Sequence, residues 1–283
     1  AVLADGSSFV TGDSQDDVTF GLGEANETTL FSTGGNNIFL ARFSPDGTLA
    51  WAKGVGHGND DCISALSLSV DGSSLVTGDF WDAATFGSGE ANETTLSSAG
   101  NNDIFIARYN ADGTLAWAKR AGGAHYDLAY GVAALADSSS FVAGEFRGTS
   151  TFGPGEANET TLVSAGETDI FIAYYRADGT PVMVVRAGGA GDEVAYGIAA
   201  LADGSSFVTG EFWGVATFGP GEAKQTTLVS AGESDIFIAR FDLCEAPAPP
   251  TPIPAPGGAW PMFRRDARHS GQSPYREIGR AHV

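Results

Sequence analysis

Basic residues are scarce in this chain: 15 Lys and Arg stand against 35 Asp and Glu in 283 residues, for a formal net charge of −20. A nucleic-acid partner is excluded on that balance, because phosphates are held by clustered Lys and Arg. Docking on an anionic membrane surface is disfavoured for the same reason. Cysteine is limited to Cys62 and Cys244, which rules out a disulfide framework. No apolar run reaches the roughly 18 residues that a membrane-spanning helix needs. The opening AVLADGSSFV has neither the basic start nor the apolar stretch of a signal peptide. Only four histidines occur, His57, His125, His269 and His282, with no HExxH and no Cys/His zinc spacing. No segment keeps a helical apolar period over about ten residues. What remains is a chain that is 42% hydrophobic, enough for a packed core, and punctuated by 39 glycines.

The glycines recur. The string GEANETTL begins at Gly23, Gly89 and Gly155, and GEAKQTTL at Gly221, a step of 66 residues each time. The same step relates Gly12, Gly78, Gly144 and Gly210, and also Ile38, Ile104, Ile170 and Ile236. The array runs from Ala1 to about Asp242 without insertion or deletion, so each copy is one unit meeting its neighbours in one way. Within a copy, runs such as YGVAAL (130–135), SSFVAGEF (139–146), DIFIARY (103–109) and LAWAK (115–119) alternate with period two and read as strands A, B, C and D. Asp-Gly pairs at Asp5, Asp46, Asp71, Asp112, Asp178 and Asp203 supply the positive-φ position of tight hairpins. The insert TFGxGEANETTLxSxG between B and C is expected to add a small hairpin.

Four antiparallel strands per exact repeat indicate an all-β protein, a β-propeller built from 66-residue, mainly four-stranded blades, about four of them. A β-solenoid is the alternative, but its coils are usually much shorter. The pairing of DIFIARYNADGTLAWAKRAGG with AYGVAALADSSSFVAGEF resembles the SBBP-type propeller repeats of bacterial surface and secreted proteins, and also the NHL pattern. That resemblance covers Ala1 to about Asp242. It implies an extracellular or cell-envelope location and says almost nothing of ligand.

Residues 1–242 therefore form the repeat array, and 243–258 (LCEAPAPPTPIPAPGG) a stiff Pro-rich linker. The stretch AWPMFRRDARHSGQSP that opens segment 259–276 resembles the start of PQQ-like propeller domains. Residues 277–283 (EIGRAHV) coincide with one reading frame of a sequencing-library adapter and are set aside. The chain enters the array inside strand A and leaves it after strand C, as an interior fragment of a longer reading frame would. Its missing strand D is expected upstream of Ala1.

No ring of histidines forms in repeat register, so no catalytic residue is assigned and the array is expected not to be an enzyme. Cys62 reads as a small core residue, and Trp51 and Trp117 as structural. Acids recur in four columns: Asp13/Asp79/Glu145/Glu211, Glu24/Glu90/Glu156/Glu222, Asn37/Asp103/Asp169/Asp235 and Asp61/Asp127/Glu193. Asp60, Asp61, Asp127 and Glu193 are the candidate metal ligands, with calcium the cation in question. The competing reading is solvated turns, no cofactor and solubility from net charge. The NET triplets at Asn26, Asn92 and Asn158 read as exposed polar loops. One column after strand B disagrees between copies: Gln15, Trp81, Arg147, Trp213. A core position does not tolerate such swaps, so it is expected at the surface, where Trp and Arg favour protein or carbohydrate contacts. The expected function is a surface or secreted scaffold for protein or polysaccharide binding and adhesion. The alternatives are a spacer carrying the PQQ-like domain, or the non-catalytic part of a secreted enzyme.

Overall fold

The computed structural model describes residues 1–32, 35–55 and 61–243, together with the backbone of 280–282. Every regular element among the described residues is a β-strand. Blade 1 holds β1 (Ser8–Ser14), the hairpin β2 (Val18–Phe20) and β3 (Thr28–Leu30), then β4 (Asn37–Phe43) and β5 (Leu49–Val55). Blade 2 holds β6 (Cys62–Leu68), β7 (Ser74–Phe80), the hairpin β8 (Ala83–Phe86) and β9 (Thr94–Ser97), then β10 (Asp103–Tyr109) and β11 (Leu115–Gly123). Blade 3 holds β12 (Asp127–Ala134), β13 (Ser140–Phe152), β14 (Thr160–Tyr175) and β15 (Pro181–Gly189). Blade 4 holds β16 (Glu193–Ala200), β17 (Ser206–Phe218) and β18 (Thr226–Asp242). The pairing runs A–B–C–D, antiparallel throughout, complete in β6–β7–β10–β11 and in β12–β13–β14–β15. This is a curled, incomplete β-propeller. The backbone of β19 (Arg280–His282) pairs with the outer side of β18, where strand D stands in the other blades. The Pro-rich linker and the PQQ-like stretch lie outside the described residues.

The expected insert hairpin is present in all four copies, and in blades 3 and 4 it continues strands B and C without a break. Its repeated sequence is structural. The N–H of Gly23 donates to Glu27 Oε2 at 2.6 Å, and Gly89 and Gly155 repeat the bond with Glu93 and Glu159. Gln225 replaces the glutamate in the fourth copy and keeps the acceptor, 2.8 Å from Gly221 N. Threonine hydroxyls face each other across the hairpin, Thr19 with Thr29 at 2.8 Å and Thr85 with Thr95 at 2.9 Å. The NET asparagines are exposed, but Asn26 and Asn92 are engaged: each donates to the first carbonyl of strand D, at Leu49 and Leu115, at 3.1 Å. The same insert also holds the N–H of that first residue, because Glu24 and Glu90 accept the N–H groups of Leu49 and Leu115.

Each seam between blades has its own apolar core. Phe9, Ile38 and Leu40 of blade 1 pack on Val76, Phe80, Phe86, Phe105 and Tyr109 of blade 2. Leu75, Ile104 and Ile106 repeat this against Val142, Phe146, Phe152, Phe171 and Tyr175. Phe141, Ile170 and Ile172 repeat it against Val208, Phe212, Phe218, Phe237 and Phe241. Strands C of the interior blades are therefore apolar on both faces, which is why DIFIARY carries no polar face to sacrifice. Trp51 and Trp117 lock the rim of two seams. Their indole N–H groups donate to the carbonyls of Ala111 (3.2 Å) and Ala177 (2.9 Å) in the next blade's C–D turn. The ring lies so close to Gly113 and Gly179 that a Cβ there would press on it. Both glycines also hold φ near +85° and +83°, so the turn needs glycine twice over.

Cys62 differs from its expectation: it is half-buried, not a core residue. Strand β6 is the inner strand of blade 2 and has no blade 1 strand A beside it, whereas β12 packs between β6 and β16.

Candidate functional site

The variable column lies where strand B meets the insert hairpin. A β-bulge interrupts the pairing between Arg147 and Thr149, and again between Trp213 and Val215. The residue that follows the variable position is left-handed, Gly148 and Gly214 at φ +68° and Asp82 at +67°. The bulge kinks the strand and turns the preceding side chain toward solvent. Gln15, Trp81 and Arg147 are exposed and Trp213 is half-buried. Arg147 reaches Glu167 Oε2 at 2.5 Å, both side chains largely in water. Because the four positions are repeat equivalents, they share one rim, one per blade, and do not converge on a single point.

The acid columns separate into three kinds. In the Glu24/Glu90/Glu156/Glu222 column, Glu24 and Glu90 belong to the insert clamp, and Glu90 and Glu156 receive Lys53 and Lys119 of the preceding blade at 2.6 Å. The Asp79/Glu145/Glu211 column lies at the inner edge of the blades. There a bulge in strand A singles out Ser64, Tyr130 and Tyr196, leaving each without a partner on strand B. Tyr130 donates to Glu145 at 3.0 Å, Tyr196 to Glu211 at 2.6 Å, and the two rings stand 5.5 Å apart. Asn102 donates to Asp79 at 2.6 Å. Burial raises the Asp79 and Glu145 carboxyls above the ordinary range, and for Glu145 the charges of Asp192 and Glu211 add to it. Every one of these groups has a partner.

The third kind is buried in the seams. Asp103 is fully buried and receives the N–H of Ala99 (3.0 Å) and the Arg120 guanidinium on Oδ2. Asp127, also fully buried, receives the N–H of Gly123 on Oδ2 at 2.7 Å. The next seam repeats the set with Asp169, Arg186 at 2.5 Å, and Glu193 bonded to Gly189 N at 2.8 Å. Gly122 and Gly188 (φ +151° and +150°) leave the space the carboxyls occupy, which accounts for the RAGG run. One oxygen on each acid is left without a hydrogen-bond partner: Asp103 Oδ1, Asp127 Oδ1, Asp169 Oδ1 and Glu193 Oε1. Desolvation raises Asp127 to about 7, against the pull of the Gly123 N–H and with the Asp103 charge added. Glu193 is raised to about 7 in the same way, with Asp169 beside it. The Asp103 charge beside Asp127 and the Asp169 charge beside Glu193 both favour the protonated acid.

The first seam supports that charge count. Where Asp103 has Asn37 as its equivalent, Arg120 has Gly54, so the ion pair is present or absent as a unit while Asp61 remains, fully buried. The metal candidates Asp61, Asp127 and Glu193 thus belong to three different seams, and Asp60 lies outside the described residues. No group of three His, Cys, Asp or Glu side chains placed to hold a metal ion occurs among the described residues. His125 is exposed beside Gly148, and His57 lies outside the described residues. No helix among the described residues is long and apolar enough to cross a membrane.

A family model described as a domain of unknown function (DUF5122) β-propeller matches residues 93–115, from the insert hairpin through strand C to the start of strand D. No curated protein matches the chain. The match and the strand-rich blades agree on a β-propeller repeat protein, a fold suited to a binding or scaffold role.

Proposed function

We propose that this protein is a non-enzymatic, extracytoplasmic scaffold whose blade rim binds a protein or polysaccharide, with no cofactor required. The observation that carries the reading is the Gln15/Trp81/Arg147/Trp213 column. It is a position where otherwise similar copies exchange Gln, Trp and Arg, and it sits at a break in the B–C pairing with the side chain exposed or half-exposed. Indole faces stack on sugar rings or aromatic and cationic side chains, and Arg binds carboxylates. The net charge of −20 favours a neutral or basic ligand over an acidic one. The WPMFRRDARHSG stretch favours a second reading, in which the blades space a PQQ-like domain from an anchor point.

Probing glycan and protein arrays with the whole chain tests the choice. The expected result is a ligand whose affinity falls by about tenfold or more in the Trp81→Ala, Trp213→Ala double variant, the loss of two aromatic hot-spot contacts. A ligand bound equally well by the double variant would remove the rim from the proposal. Absence of any ligand would favour the spacer.

A further inference from the structure

We propose that Asn158, in preference to Asn26 and Asn92, is the attachment site of an N-linked glycan, transferred from a lipid-diphosphate-linked oligosaccharide. The acceptor pattern Asn-x-Ser/Thr occurs at all three asparagines, each time inside an identical GEANETTL. The pattern has meaning only in an exported chain, so the proposal rests on the extracytoplasmic location proposed above. All three asparagines are exposed. Because the eight residues are the same in each copy, a difference between the sites has to come from the fold around them.

That difference lies at the first residue of strand D. In blades 1 and 2 it is leucine, and the insert grips it twice. Asn26 and Asn92 donate their side-chain amides to the carbonyls of Leu49 and Leu115 at 3.1 Å. Glu24 and Glu90 accept the N–H groups of the same leucines at 2.5 and 2.6 Å. In blade 3 the residue is Pro181. Proline has no N–H, so Glu156 has nothing to accept there. The glutamate has turned away accordingly. A Cβ added at Gly21 or Gly87 would lie 3.1 or 3.2 Å from the Oε2 of Glu24 or Glu90, whereas at Gly153 the nearest Glu156 atom is its Cβ, at 3.6 Å. The Asn158 amide in turn donates to no acceptor among the described residues.

The amide nitrogen is the atom that reacts. Asn158 Nδ2 forms a bond to the anomeric carbon of the sugar, and the bond from that carbon to the diphosphate oxygen breaks. The lipid diphosphate leaves with the electron pair, and one amide proton passes to a base of the transferring enzyme. At Asn26 and Asn92 the amide must first be released from strand D, and the glutamate clamp with it; Asn158 needs neither step. None of residues 154–161 belongs to a seam core, so a bulky glycan at this turn clears the packing.

The test uses the whole folded chain with an oligosaccharyltransferase and a lipid-linked oligosaccharide already active on a GEANETTL peptide. Purified components keep the outcome independent of where the protein resides. Mass spectrometry of proteolytic fragments follows the occupancy of each asparagine with time. Asn158 is expected to be modified about tenfold faster than Asn26 or Asn92, the scale set by two hydrogen bonds that need not be broken. Separate peptides of the three segments should react alike. Pro181→Leu restores both bonds with the residue that blades 1 and 2 hold at this position, and should bring Asn158 down to the rate of the other two. A folded chain that stays unmodified, equal rates at the three sites, or peptides that reproduce the order seen in the folded chain would overturn the proposal. So would an Asn158 rate that Pro181→Leu leaves unchanged.

Discussion

Gly144→Ala is expected to destabilise the protein by about 3 kcal/mol or more, enough to melt blade 3, whereas Gly12→Ala at the equivalent position is expected to stay within about 1 kcal/mol of the original. A Cβ on Gly144 would fall inside the van der Waals radius of the Leu128 carbonyl oxygen and against Ala129 and the Phe171 ring. The approach is that close because strand A bulges at Tyr130: Ala129 pairs with Gly144 and Gly131 with Ala143. Backbone carbonyls cannot swing aside as side chains do, so the A–B pairing itself must open. Gly78 and Gly210 meet Cys62 and Val194 in the same way. At Gly12 no strand A stands alongside, and the nearest atom is on the Phe39 ring at 3.1 Å, which can shift. The added methyl also restricts the unfolded chain, which offsets part of any strain. Urea unfolding of the two variants checks this. Equal losses at both positions would show that the bulge is not what requires glycine.

The contrast illustrates what the sequence carries and what it does not. The 66-residue step, the strand order and the insert hairpin are all legible, because period two and Asp-Gly turns are local properties. Strand C spans Asp103–Tyr109 in the structure, the same residues that the alternation marks. The surface position of Gln15, Trp81 and Arg147 is legible as well, since a buried position would not exchange Gln, Trp and Arg. The seam is not. Asp103, Arg120 and Asp127 lie on a strand C, a strand D and the following blade's strand A, and only packing unites them. A signal was available in the repeat alignment, where Asn37 with Gly54 replaces Asp103 with Arg120. Columns read one at a time hide such a pair, whereas columns read for joint change expose it. The acids of GEANETTL recur for a local reason: Glu24 and Glu90 bond strand D, and Glu27, Glu93 and Glu159 bond the glycine that opens the insert.

Stability is expected to fall as pH rises from about 4 to about 7 and to level off above that. Asp127 and Glu193 hold a proton in the folded state up to about 7, while their ordinary values are 3.8 and 4.5. Between those limits the folded chain binds more protons than the unfolded one. Each group then lowers stability by at most about 1.4 kcal/mol per pH unit, and the effect is complete once the folded group has ionised. The turn aspartates act in the other direction. Asp46, Asp112 and Asp178 accept bonds from Thr48, Thr114 and Thr180, which hold their carboxyls below the ordinary range. Their contribution is present above about 4 and is lost as pH falls through the lowered values, so the melting temperature should peak in mildly acid solution. Asp127→Asn isolates the seam. Its amide has nearly the shape of the carboxyl and does not ionise. At pH 8 the variant should therefore melt above the unaltered chain, and its decline between pH 5 and 7 should be shallower by one group's share. Glu233→Gln removes an exposed charge and controls for the relief of general repulsion. If that control flattens the profile as much as Asp127→Asn does, or if stability climbs with pH across this window, the seam does not hold a proton. A profile that becomes flat only when a divalent cation is added would instead assign the orphaned oxygens to a metal.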